Sequence, residues 1–196
     1  MHRHHGPIVA ILLAGLLTLA GCAGKMKTTQ FTNPKFDFSY VERVAVLPFE
    51  NLSSDRQAGP RATRLMITEL LASGAIDVVE PGEVQAAMTK AQMGQAGRAG
   101  PPNTEQIVSI GKSLRVQAII VGNVTQSEVL RSGAVMIPVV TLDVHMIEAE
   151  TGATVWAATH TEKGGSAGAR VLGTGGAPIS TTTRRCVKQL LGTLID

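Results

Sequence analysis

The chain has 196 residues, enough for one domain of ordinary size, with 18 Lys plus Arg against 15 Asp plus Glu. The basic residues are scattered and carry no interleaved aromatics, so nucleic acid is excluded as a partner class. Apolar residues make up 44% of the chain and charged ones 17%, a balance that can bury a core.

The first segment is a polar start with one fixed positive charge, Arg3, followed by an apolar run from Ile8 to Ala20. As a helix this run would reach only ~20 Å, against a hydrocarbon core of ~30 Å. It is too short for a permanent span and suits the apolar region of a signal peptide. It ends Leu19-Ala20-Gly21-Cys22, which resembles the lipobox of bacterial lipoproteins. That resemblance implies a signal peptide over 1–21 and a diacylglyceryl thioether on Cys22, the usual acyl chains being palmitate-like. Two or three acyl chains anchor stably, because each buried CH₂ contributes ~0.8 kcal/mol. Ala23, where an Asp would resemble an inner-membrane retention signal, points to the outer membrane. Cys186, the other cysteine, is left without an intramolecular partner and falls in an apolar segment, as a buried core thiol does.

Residues 22–42 read as the lipidated N-terminus and a tether. Asn33-Pro34 signals a turn, and five of the six aromatics lie between Phe31 and Phe49. Phe36, Phe38 and Tyr40 alternate as along an extended arm packed on the domain, or as a partner-binding strip. Arg43–Phe49 is expected to be a buried strand ended by Pro48, and 50–59 a loop. A helix follows from Pro60, with Leu65, Met66, Glu69, Leu70 and Leu71 at helical spacing, and Gly74 stops it. A short strand is expected over Ile76–Val79, then a second helix opened by Pro81, and a Gly- and Pro-rich loop over 93–103. Asn103 and Gln106 have the spacing of a helix cap, and Ile107, Ile110 and Leu114 give that helix a buried stripe. Ala118–Val124 is the next strand. Pro138–Ile147 alternates around Leu142, Val144 and Met146, turns at Glu150-Thr151-Gly152 and returns over Ala153–His160, a hairpin. A second Gly-rich loop covers 163–178, and Ile179–Ile195 closes the chain as a helix. The order implies a single α/β domain over 43–196, a mixed sheet flanked by helices.

Sites for chemistry are sparse. Gly111-Lys112-Ser113 has the tail of a phosphate-binding loop, but the leading Gly is absent and the site would lie inside a helix. Asp143 and His145 share a strand face, and His160 lies on the partner strand, so the three could meet; the plainer reading is a polar, solvent-facing strip. No Gly-x-Ser-x-Gly, Cys-x-x-Cys or His-Glu-x-x-His pattern occurs. The expectation is no enzyme, no catalytic or metal-binding residues, and no cofactor beyond the covalent lipid on Cys22.

The stretches Val44–Asn51, Leu70-Leu71 through Glu80, Gln117–Val124 and Leu142–Gly152 together resemble the curli-secretion lipoprotein (CsgG-like) family over roughly residues 43–195. The resemblance implies a core shared with the N-terminal domain of TolB and with a lipoprotein activator of peptidoglycan synthase, so it speaks to fold more than activity. That family's channel inserts two long hairpins per subunit into the outer membrane. Here the matching segments, 125–137 and 161–180, are short, charged or Gly-rich, so no barrel is expected and both should be mobile loops. The implied role is a non-enzymatic, outer-membrane-anchored, periplasm-facing component of envelope assembly or secretion. Its partners are the membrane and other envelope proteins, with homo-oligomerisation open. The alternatives are an activator docking on a peptidoglycan synthase and an oligomeric secretion channel.

Overall fold

The β-branched and apolar runs form strands in the computed structural model, which describes residues 27–93, 102–133, 135–165 and 176–195. The strands are β1 (Thr29–Thr32), β2 (Arg43–Val46), β3 (Glu50–Asn51), β4 (Asp77–Val78), β5 (Ala118–Ser132), β6 (Val135–Glu148) and β7 (Thr154–Lys163). The helices are α1 (Ala58–Ser73), α2 (Pro81–Lys90), α3 (Thr104–Leu114) and α4 (Ile179–Ile195). One mixed seven-stranded sheet results, in the order β1-β7-β6-β5-β2-β4, with β3 also paired to β5. The pairs β2/β4, β2/β5 and β3/β5 are parallel, and β5/β6, β6/β7 and β1/β7 antiparallel. The expected α/β domain with helices on a mixed sheet is therefore what forms.

Successive side chains of a strand point to opposite faces, and here both faces find helices. On one, Val44, Val46, Ile120, Leu142, Val144, Met146 and Trp156 meet Met66 and Leu70 of α1 and Cys186, Val187 and Leu190 of α4. On the other, Ala45, Leu47 and Ile119 meet Val84 of α2 and Ile107 and Ile110 of α3. Burying each of these larger side chains stabilises the fold by ~1.5–3 kcal/mol. Local signals set the helix ends. Asn103 and Gln106 form a reciprocal capping box on α3, and Gly74 ends α1 in the left-handed region at φ 64°.

Gly111, the first residue of the apparent phosphate-loop tail, sits within α3, and a Cβ there would come 2.5 Å from Cβ of Ala149. A glycine at this point lets the helix close on the β6–β7 turn. Gly152, in that turn, holds φ 75°, which only glycine adopts without strain.

Four segments differ from expectation. Glu50-Asn51, expected as loop, pairs with Asn123-Val124: β2 breaks at Leu47–Pro48, and the chain rejoins β5 further along. Residues 29–32, expected in the tether, form the edge strand β1 on β7. Phe36, Phe38 and Tyr40 do not alternate along an arm; they cluster, Phe36 meeting Phe38 edge-on at 4.8 Å and Tyr40 at 5.4 Å between ring centres. Most consequentially, 125–137 is no mobile loop. β5 and β6 stay paired from Ala118↔Glu148 out to Ser132↔Val135, with a single irregularity between Val124 and Gln126. Alternation of apolar and polar residues is weak in this stretch, and backbone pairing carries the hairpin onward. Of the second segment, 161–180, residues 166–175 lie outside the described residues.

Candidate interaction surfaces

Cys22, the expected lipid attachment site, lies outside the described residues. Chain counting still relates it to the fold, since Thr28 follows it by six residues and is already docked. The Thr28 hydroxyl pairs with Nδ1 of His160 at 2.9 Å. One step on, Thr29–Thr32 pair with Thr159–Trp156.

The sheet separates the polar trio. Asp143 and His145 share the face left open beside α3, with Nε2 of His145 3.4 Å from Asp143 and the Thr159 hydroxyl donating to Asp143 at 2.8 Å. His160 registers with Leu142 and faces the α4 side, 3% exposed. Its Nε2 lies 3.3 Å from Glu162. Residue alternation explains the outcome: a residue an odd number of register steps away points through the sheet. No group of three metal-ligating side chains occurs among the described residues.

Cys186 is the core thiol expected. It is fully buried, and Sγ donates to the His160 carbonyl at 3.3 Å. Burial pushes its ionisation up to about 12, so it stays a thiol at neutral pH and is no nucleophile. A shallow hollow of about 310 Å³ lies between Phe38, Val41, Ile76, Met146 and the α4 end at Leu194-Ile195. Its lining holds no titratable side chain and so no acid or base for catalysis.

The structure brings together one polar cluster that sequence reading missed. The Arg61 guanidinium on α1 pairs with Asp55, donates to the Ser127 hydroxyl on β5 at 3.0 Å, and reaches Thr183 on α4 at 3.2 Å. Ser127 in turn donates to Asp55 at 3.0 Å. Burial pulls the Asp55 carboxyl upward, but Arg61, the Gln57 N–H and Ser127 together outweigh it and hold the group below its ordinary range. Three elements and the loop before α1 meet here, at the base of the projecting part of the β5–β6 hairpin. The sequence signal was slight: Asp55 precedes a helix start, but nothing local marks Ser127 or Thr183.

Beyond that base the hairpin carries exposed apolar side chains on both faces. Val129 and Met136, facing the α4 side, are 46% and 52% exposed, and Leu130 on the reverse is 43% exposed. Pro138 lies alongside: its carbonyl accepts from Gly164, whose own carbonyl accepts from Ala177 in place of the N–H that proline lacks.

No family model matches the chain, and no curated protein does. Solved structures do. The fold is similar to the PelC dodecamer from Paraburkholderia phytofirmans, with 19% identity and a TM-score of 0.56 over 84% of this chain and 96% of that one. A second crystal form of that dodecamer, carrying one substitution, gives 20% and 0.58 over 86% and 98%. Lipoprotein GNA1162 from Neisseria meningitidis gives 14% and 0.52 over 68% and 91%. These likenesses establish a fold that lipoproteins also use; none of the three is a curli-secretion lipoprotein, and none is named for a catalytic activity.

Proposed function

We propose that the chain is a lipid-anchored, periplasm-facing lipoprotein of the outer membrane that assembles into a homo-oligomer and serves envelope assembly or secretion without catalysis. One observation carries this reading. The fold extends over nearly the whole length of a protein crystallised as a dodecamer, and here it follows a stretch, Leu19–Cys22, that resembles a lipobox. The surfaces agree with an assembly role. They offer an open polar sheet face, an edge strand and an apolar hairpin tip, and the described residues hold no constellation of nucleophile, base and oxyanion donors.

Two measurements test it. Native mass spectrometry of the detergent-extracted protein should give a multimer of defined number, and a monomer at every concentration would refute the assembly. Cys22→Ser should abolish palmitate incorporation and leave the precursor uncleaved; a variant that still labels and fractionates with the outer membrane would refute the anchor. Steady ion conductance in a planar bilayer would replace the assembly reading with a channel.

A further inference from the structure

We infer that the tip of the β5–β6 hairpin is a second membrane contact, immersed in the same lipid leaflet that holds the anchor. The inference rests on the lipid-anchor reading above and adds to it a protein site: Val129, Leu130, Arg131 and Met136.

Register fixes the geometry. Thr28 sits beside His160, His160 opposes Leu142, and Leu142 opposes Val124, so the tether leaves the sheet at the level of Leu142. From there β6 runs back seven residues to Val135, a distance of ~23 Å at ~3.3 Å per residue. The chain from Thr28 back to Cys22 spans six residues, at most ~20–22 Å. β1 is antiparallel to β7, so its N-terminal end points the same way as the hairpin tip. Even fully extended along the strand direction, the anchor stops just short of the plane of the tip, so the tip stands at least as far out as the anchor. A membrane surface that holds the anchor therefore meets the tip when the strands stand along its normal.

The chemistry of the tip fits that surface. A patch made to dock a flat protein partner would be apolar on one side. Here Leu130 is exposed on one face and Val129 and Met136 on the other, and immersion covers both at once. The apolar stretch covers about three residue levels, ~10 Å at ~3.3 Å each, close to the ~5–10 Å by which interfacial elements enter the headgroup and acyl boundary. Arg131 sits at the level of Met136 and bends toward the apex, its Nε donating to the Gly133 carbonyl at 3.2 Å. A guanidinium there meets lipid phosphates and halts deeper entry. Glu128, held by Gln126 at 2.6 Å, lies behind the apolar zone, where an acidic group stays in water.

The test uses the full-length lipidated protein on vesicles of phosphatidylethanolamine and phosphatidylglycerol, with and without brominated acyl chains. Leu130→Trp and Met136→Trp each place an indole at the tip, one per face. Leu71→Trp places one on the exposed C-terminal turn of α1 as a control, and buried Trp156 gives a constant background. The tip indoles should shift to shorter wavelength, lose emission to brominated chains and escape aqueous iodide, while the Leu71→Trp indole shows the reverse. Tip indoles open to iodide and insensitive to bromine on bound vesicles would overturn the inference. Indoles shielded from both quenchers would also overturn it, assigning the tip to a protein neighbour. Palmitate content is measured on the same preparation. Its absence would bring down the anchor reading and this one together; where palmitate is present, a failed quenching pattern overturns the tip contact alone.

Discussion

Arg61→Ala should be among the more damaging substitutions in the chain, although Arg61 touches no hydrophobic core residue through its charge. The side chains of Arg61 and Asp55 are 14% and 25% exposed, so the variant strands a half-buried carboxylate with only Ser127 and the Gln57 N–H to solvate it. Fully buried pairs lose ~3–5 kcal/mol when broken. The residual exposure lowers the expected cost to about 2 kcal/mol, or ~4–8 °C in midpoint temperature for a domain of this size. Asp55→Ala in the Arg61→Ala background should cost little more, and the cycle should show coupling of ~1 kcal/mol or more. Because folding lowers the Asp55 ionisation, its contribution is fully present above the unfolded value of ~3.9 and fades as pH falls through the lower folded value. Urea unfolding followed by Trp156 emission, at neutral pH and in steps below pH 5, reads both effects, and Asp55→Asn should flatten the acid limb. Additive single variants, or an Arg61→Ala cost within about ±0.5 kcal/mol of zero, the range of ordinary surface substitutions, would refute the cluster as the clamp at the hairpin base.

Three other outcomes follow from the packing. Gly111→Ala forces a methyl against Ala149 and should cost ~1–3 kcal/mol, measured by urea unfolding, with Ala149→Gly in the same chain restoring part of it. Val144→Ala, at a fully buried position, should cost on the order of 1–3 kcal/mol from lost burial and the cavity left behind, measured the same way. Cys186 should resist a thiol reagent at about pH 8 in the native protein and react promptly in urea. Native reactivity would mean that α4 does not seal the sheet.

Much of the fold was readable in the sequence wherever one face of an element is buried along its whole length. The alternation of Leu142, Val144 and Met146, the stripe Ile107–Leu114 and the C-terminal helix all appear as expected, and Val46 and Val144 are core residues. What escaped notice was held by other forces. β1 and β3 are short strands recruited by edge hydrogen bonds, with exposed side chains in β1 that carry no pattern. The outer half of β5 mixes Gln126, Glu128 and Arg131 with apolar residues because beyond Ser127, the last side chain there to meet α1, the strand is exposed on both faces, so period-two alternation fades while pairing continues. The polar cluster joins residues 55, 61, 127 and 183, and such long separations leave no trace in local spacing. Conversely, Asp143, His145 and His160 are near in sequence, and the pleat alone sends His160 to the other side.

The route by which the tether joins the sheet gives the molecule a mechanical character. The chain enters at Thr28, runs through β1, and is fastened at its far end where the Asn33 N–H donates to the Val155 carbonyl at 2.8 Å. A pull on an anchor at Cys22 would act along the axis of β1, across ladder bonds that lie perpendicular to the strand. The bonds of Thr29–Thr32 would then share the tension in shear, where a strand lifted sideways would surrender them one at a time. Four exposed residues are a slight attachment against unzipping and a far firmer one in that direction, so under the proposed anchoring a partner would tug the domain away from the membrane without first unravelling the sheet.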